Sequence, residues 1–313
     1  MLSVAVQTLA VTAPVFVMLF IGIALKRLGW IDAAFIQTAS ALVFNATMPT
    51  LLFISIIKAD LNAALQPSLL LYYVIATVAT FLLAWLWAHW RCSPADRGVY
   101  VQGAFRGNNG IVGLALATSL YGDYGLSLGG VLAGVVILLY NSLSALILAI
   151  YSPGGRTSAG AILLSILRNP LIIGVTAAIP FAYWQIPLPD WLMTSGQYFA
   201  QMTLPLALIC IGGTLSLSVL RESSRMAMSA SLMKMVWLPA LATAGAWLAG
   251  FRGAELGILF LYFASPTASA SFVMARAANA NHQLAAIIIV ITTLMAALSI
   301  NLGLLLLGWL EWI

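Results

Sequence analysis

The sequence predicts an all-α integral membrane protein: ten transmembrane helices, built as two inverted five-helix repeats whose fourth and ninth helices are broken. Three observations lead there. Of 313 residues 63% are hydrophobic and 7% charged, with a mean hydropathy of +1.05, whereas a soluble domain carries roughly 25% charged residues. Ten apolar runs follow one another along the chain, each near the roughly 20 residues a helix needs to cross hydrocarbon. Finally, the two halves of the chain carry interruptions at matching places.

The runs are 3–25, 34–57, 67–90, 98–121, 125–150, 161–183, 191–219, 227–249, 254–275 and 284–308. The first has no basic stretch before it, and Lys26-Arg27 follow it. It therefore reads as a retained span with its amino terminus outside, not as a cleaved signal peptide. The second carries Asn45 and Pro49, and the third ends near His89 and Arg91. The fourth contains the stretch "AFRGNNGIVGLALA", Ala104 to Ala117, and the fifth holds Asn141 after Tyr140. The loop "SPGGRTSAG", 152–160, then divides the chain into a first repeat, 1–151, and a second, 161–313.

In the second half, Arg168 precedes Asn169-Pro170 at the expected cytoplasmic boundary, with 160–167 as a possible interfacial helix. The seventh run carries Thr203 and Pro205. Lys234, in the eighth, stands nine residues after Arg225, roughly 13 Å along a helix, and is expected to snorkel its ammonium to the interface. The ninth run is interrupted by "SPTAS", 265–269, and the tenth carries Thr292 and Thr293.

Charge sets the orientation. With the amino terminus outside, Lys26, Arg27, Arg91, Arg97, Arg156, Arg221, Arg225 and Arg276 fall on the cytoplasmic side. Only Lys58 and Arg252 fall outside, among Asp60, Asp123, Asp190, Glu255 and Glu311. This is a positive-inside pattern for an inner (plasma) membrane protein with both termini extracytoplasmic. The net charge of +5 is scattered in ones and twos, so no basic stripe exists to track nucleic acid. Cys92 and Cys210 make no disulfide framework, and neither they nor His89 and His282 have neighbours at metal-ligand spacing. No cofactor or metal is expected.

A shift of 156 residues carries Pro49 onto Pro205, within "TMPTLLFI" and "TLPLALIC", and Asn109 onto Ser265. Five crossings reverse the chain, so two such halves face opposite ways, the plan of many secondary transporters. The breaks have a physical meaning. Backbone N–H and C=O groups cannot go unpaired in lipid, so irregular backbone survives only against protein or a watery cavity. Gly107 and Gly110 supply permissive backbone, and Asn108 and Asn109 supply amides that replace lost hydrogen bonds. Pro266 lacks an N–H, while Ser265, Thr267 and Ser269 can bond to freed carbonyls. The second half of each broken helix then presents unpaired donors and a positive dipole end, and two such ends near the membrane centre suit a carboxylate.

The candidate substrate-binding residues are Asn108, Asn109, Arg106, Gly110, Asn141, Ser265, Pro266, Thr267, Asn45 and Thr203. Asn108 either donates to a substrate carboxylate or caps the broken backbone. Arg106, the only cation expected near the break, either holds a carboxylate by two parallel bonds or pairs with backbone carbonyls between helices. Asn141 bonds between helices or lines the cavity, as do Thr292 and Thr293. Asn45, Pro49, Thr203 and Pro205 bend spans two and seven around it. All eight acidic residues lie in loops or at span ends, which argues against a buried proton relay. Transport is then uniport, or is coupled to an ion held by neutral oxygens; the coupling ion, if any, is left open.

The chain resembles the auxin efflux carrier family, which includes plant PIN proteins and bacterial carriers of malonate and other organic acids. The resemblance spans all ten runs. It rests on "LVFNATMPTLLF" (42–53), "GNNGIVGLALATSLYG" (107–122), "LLYNSLSALIL" (138–148), "RNPLIIG" (168–174), "LPLALICIGGTLS" (204–216), "KMVWLPAL" (234–241) and "ASPTASASFVMARAANAN" (264–281). It implies a fold like that of the sodium–proton antiporter NhaA and the bile acid sodium symporters, with helices four and nine crossing at the substrate site. It further implies a scaffold from helices 1, 2, 6 and 7, a transport unit from helices 3–5 and 8–10 that moves like an elevator, and a homodimer formed through the scaffold. The family's crossover asparagine matches Asn108 and its span-nine proline matches Pro266. Plant members tend to read Pro-Asn-Thr where this chain has Gly107-Asn108-Asn109, and carry an acid and a tyrosine where Ala277 and Ala278 stand.

The function expected is therefore secondary transport of a small organic anion across the bilayer by alternating access. The alternatives are a channel or membrane sensor, or an intramembrane enzyme. The last lacks H-E-x-x-H, G-x-S-x-G and any mid-span histidine or carboxylate.

Overall fold

The computed structural model describes residues 2–58, 66–151, 168, 170–214, 225–268 and 270–313. The loop 152–160 with Arg156, the interfacial segment 160–167, and Asp60, Asn169, Arg221 and Ser269 lie outside the described residues. Helices fall on every one of the ten apolar runs: α1 Leu2–Arg27, α2 Ala33–Leu42, α3 Met48–Lys58, α4 Pro67–Arg91, α5 Pro94–Phe105, α6 Leu114–Tyr151, α7 Pro170–Tyr183, α8 Asp190–Gln201, α9 Thr203–Thr214, α10 Arg225–Leu232, α11 Leu238–Leu248, α12 Gly253–Ala264, α13 Ala270–Ala277 and α14 His282–Trp309. Among the described residues the sole β-type pairing is one isolated antiparallel bridge, between Gly107 and Thr267.

Helix starts follow local chemistry. Asp32 accepts from the Phe35 amide at 2.7 Å and Asn281 from the Leu284 amide at 3.0 Å, each capping an orphan donor. Pro67 and Pro94 open α4 and α5, where a missing N–H costs nothing. Gly122, at φ 57° and ψ −138°, divides α6 into two helices by a backbone that disfavours any side chain.

Two prolines leave a signature inside helices. Pro49 and Pro239 each follow a wide π turn, Val43–Thr47 joining α2 to α3 and Met233–Trp237 joining α10 to α11. A proline ring clashes with the carbonyl four residues back. For these two, that residue is Asn45 and Met235, both within the widened turns, and the extra residue relieves the clash.

Four described stretches are long and apolar enough to cross a membrane: Pro67–Arg91, Asn109–Tyr151, Arg225–Leu248 and His282–Trp309. Large apolar side chains face outward along them, and tryptophans are exposed near helix ends at Trp30, Trp90, Trp184, Trp191 and Trp309. A water-facing surface would bury these residues, whereas the headgroup region of a bilayer favours them there. The helices pack in two groups that also touch each other, α1 and α3 on α6 and α1 on α14. In one, α1 packs on α9, α3 on α7 and α8, and α2 on α9. In the other, α5 packs on α4 and α6, α10 on α5 and α14, and α12 on α6 and α11.

Candidate functional site

The site begins where α5 and α12 stop. Arg106 turns extended (φ −79°, ψ 108°) and Asn108 leaves the helical region (φ −87°, ψ 54°). Ser265 is extended (φ −60°, ψ 138°), as the residue before a proline prefers. The two irregular stretches lie antiparallel. The Asn108 amide donates to the Pro266 carbonyl at 2.7 Å, and the Ala268 amide to the Arg106 carbonyl at 3.3 Å.

Carbonyls freed at the helix ends find partners, as burial demands. The Arg106 amide donates to the Gln102 carbonyl. Thr267 Oγ1 donates to the Gly103 carbonyl at 2.7 Å, Ser265 Oγ to the Leu261 carbonyl at 2.8 Å, and Lys234 Nζ to the Phe263 carbonyl at 2.9 Å. Thr292 Oγ1 accepts from the Thr267 amide at 3.1 Å. Gly107 is required by close approach: a Cβ there would meet Asn109 Oδ1 at 2.1 Å and Lys234 Nζ at 3.1 Å.

The side chains then divide by role. Asn109 Nδ2 donates to the hydroxyls of Tyr73 (2.6 Å) and Tyr140 (3.2 Å), which pins the amide between α4 and α6; its Oδ1 has no partner among the described residues. The guanidinium of Arg106, 8% exposed, is held only by neutral acceptors. Nη1 donates to the Tyr140 carbonyl (3.4 Å), Ser144 Oγ (3.2 Å) and Met274 Sδ (2.9 Å), and Nη2 to Asn141 Oδ1 (2.9 Å). Its Nε is unpaired. The Asn108 carboxamide is half-buried and, among the described residues, has no hydrogen-bond partner.

A cavity of about 220 Å³ opens onto these groups. One wall is the broken stretch from Arg106 to Ile111, with Ala268, Ala270, Val136 and Tyr140. The facing wall is Ser40, Val43, Phe44 and Met48 from the α2–α3 stretch, and Ala207, Cys210, Ile211 and Thr214 from α9. The cavity thus lies between the two packing sets. Past Asn108 the first amides of the resumed helix have no intrahelical acceptor and carry a positive dipole end.

The structure therefore brings Arg106, Asn108, Asn109 and Gly110 to one cavity, with Asn141 behind Arg106. Ser265, Pro266 and Thr267 stand at the same crossing, with their polar groups engaged to backbone. Asn45 and Thr203 are not brought there. Asn45 donates to the Ala41 carbonyl at 2.9 Å and lines a separate shallow groove with Pro49 and Pro170. Thr203 is fully buried, and its hydroxyl has no partner among the described residues.

Lys234 corrects the sequence reading twice. It does not snorkel: it is 2% exposed, because the π turn aims its stem at the end of α12. It also makes Arg106 one of two basic side chains at the crossing. Proline spacing in "KMVWLP" was the available signal, since a widened turn before Pro239 redirects the residues within it.

The profile of a family described as Membrane transport protein matches residues 8–303 of this chain. The chain belongs to this family, the auxin efflux carriers that its motifs resemble. Two archaeal proteins, both described as uncharacterized transporters, are similar over nearly their whole length. That of Methanothermobacter thermautotrophicus is 26% identical over 293 residues, covering 92% of this chain and 94% of its own. MJ1031 of Methanocaldococcus jannaschii is 25% identical over 312 residues, covering 94% and 96%. The protein is a membrane transporter, and membership of this family points to transport rather than catalysis.

Proposed function

We propose that the protein moves a small organic anion across the inner membrane, binding it where the fourth and ninth spans cross. The carrying observation is the Asn108 carboxamide, free of partners and facing a 220 Å³ cavity beside the first amides of a resumed helix. Thr267, Ser265 and Lys234 each hold a backbone carbonyl of the crossing, and the Asn109 amide nitrogen is held by two tyrosine hydroxyls. Asn108 and the Gly110 backbone donate to one carboxylate oxygen pair, an arrangement favoured at helix N-termini. Arg106, whose acceptors are all neutral, leaves a net positive charge at the cavity wall. Lys234 places a second basic side chain one layer behind.

The chain works as two inverted five-helix repeats, with ten spans and both termini extracytoplasmic. Helices of spans one, two, six and seven act as a scaffold, through which two copies pair. The set carrying the crossing slides against it, taking the cavity from one face to the other. Support comes from the packing of helices in two sets and from the cavity lying between them. The equivalent placement of the two breaks, 156 residues apart in sequence, adds to it.

The test is electrical recording from proteoliposomes on a solid-supported membrane, presenting monocarboxylates, dicarboxylates and indole acids with and without sodium. Currents with at least one carboxylate, and none with its neutral amide, are expected. Silence toward every carboxylate, or equal response to the neutral amides, would overturn the reading. A sodium requirement separates ion coupling from uniport.

A further inference from the structure

A second and larger cleft, of about 990 Å³, lies away from the crossing, between α4 and the α10–α11 stretch. Its rim is apolar and outward-facing: Leu86, Trp90, Trp237 and Leu241 are all more than half exposed. Arg91 and Arg225, the last residue of α4 and the first of α10, line one end of it. From Arg225 to Leu241 the lining follows the helix for 16 residues, about 24 Å, more than the ~15 Å half-thickness of the hydrocarbon core. That is too long for a compact solute and suits an acyl chain.

The charged end is equally specific. The Arg91 guanidinium lies 5.3 Å from the centroid of the Trp87 ring, a stacking that leaves its N–H edge open. Neither arginine has a carboxylate partner among the described residues, and none of the residues lining the cleft is acidic. Two guanidinium groups with no carboxylate partner among the described residues, above an apolar trough, complement a phosphodiester attached to hydrocarbon. This end is also the one where the positive-inside pattern gathers its basic residues, the side on which anionic lipids attract arginines.

We propose that this cleft is a binding site for an anionic phospholipid, with its phosphate on Arg91 and Arg225 and its chains along α10–α11. The lipid bridges α4 and α10, both in the set of helices that carries the crossing, so it travels with that set.

Native mass spectrometry of the full chain tests it, after delipidation and titration with phosphatidylglycerol or phosphatidylcholine of matched chains. The wild type should retain one phosphatidylglycerol, about tenfold or more in preference to phosphatidylcholine, as two arginines near an anionic headgroup imply. R91Q/R225Q should lose that preference, and R91K/R225K should keep most of it. Glycerol 3-phosphate, the headgroup without chains, should not compete. Equal retention of both lipids, or an unchanged preference in R91Q/R225Q, would overturn the proposal. So would competition by glycerol 3-phosphate, which makes this a phosphate site, or a dimer that Leu241→Glu splits, which gives the cleft to a second copy.

Discussion

Lys234 Nζ donates to the carbonyl oxygen of Phe263 at 2.9 Å, so the widened turn between α10 and α11 holds the broken end of α12. This contact places a hydrogen-bond donor at the carboxyl end of α12, where an orphan carbonyl needs one, and beside Gly107 on the other side of the crossing. It ties one broken helix to the position of the other.

The magnitudes predict an unusual mutant. Burying an ammonium without a carboxylate costs several kcal/mol, while orphaning one carbonyl costs about 1–3 kcal/mol. Lys234→Met should therefore unfold at a temperature no lower than wild type, although it removes a hydrogen bond. Transport should fall several-fold, because positive potential at the crossing is lost. Thermal unfolding in detergent and liposome uptake check the two halves separately; a less stable protein with normal uptake would contradict both.

Arg106 should affect affinity more than stability. Its neutral acceptors can be rearranged, but its charge cannot be replaced from the cavity wall. Opposite unit charges about 4 Å apart attract by about 1–4 kcal/mol between bulk water and a protein surface, so Arg106→Gln should weaken anion binding about tenfold or more. Calorimetric titration of the cognate anion reads this directly. Unchanged affinity would leave Arg106 as an interhelical brace.

Two glycines of one motif should behave differently. A Cβ on Gly107 would collide with Asn109 Oδ1 at 2.1 Å, whereas one on Gly110 would meet only Met48 Cε at 3.9 Å. Gly107→Ala should lose about 1–3 kcal/mol to overpacking and abolish uptake. Gly110→Ala should fold as the wild type does. The pair is compared by thermal unfolding.

How much of this the sequence could reveal depends on the range of the interaction. The breaks were legible because "GNNG" and "SPTAS" resist a helix locally, through glycine, proline and competing side chains. Their meeting is expected from the matching places of the two interruptions in the sequence, and the Gly107–Thr267 bridge joins them. The pinning of Asn109 by Tyr73 was not legible, because that contact spans 36 residues and depends on how α4 packs. Lys234 was misread because counting along an ideal helix ignores the widened turn before Pro239. Asn45 and Thr203 were grouped with the cavity by their nearness to prolines, yet the bends turn both side chains elsewhere.

The most direct measurement is binding of the cognate anion to Asn108→Ala, with membrane insertion and thermal unfolding followed in parallel. The Asn108 side chain makes no structural hydrogen bond among the described residues, so the variant should insert and unfold as the wild type does. It should lose at least about tenfold in affinity, the worth of roughly 1.4 kcal/mol, and its transport current. Wild-type affinity and current in a well-folded Asn108→Ala protein would contradict a carboxylate site at the crossing.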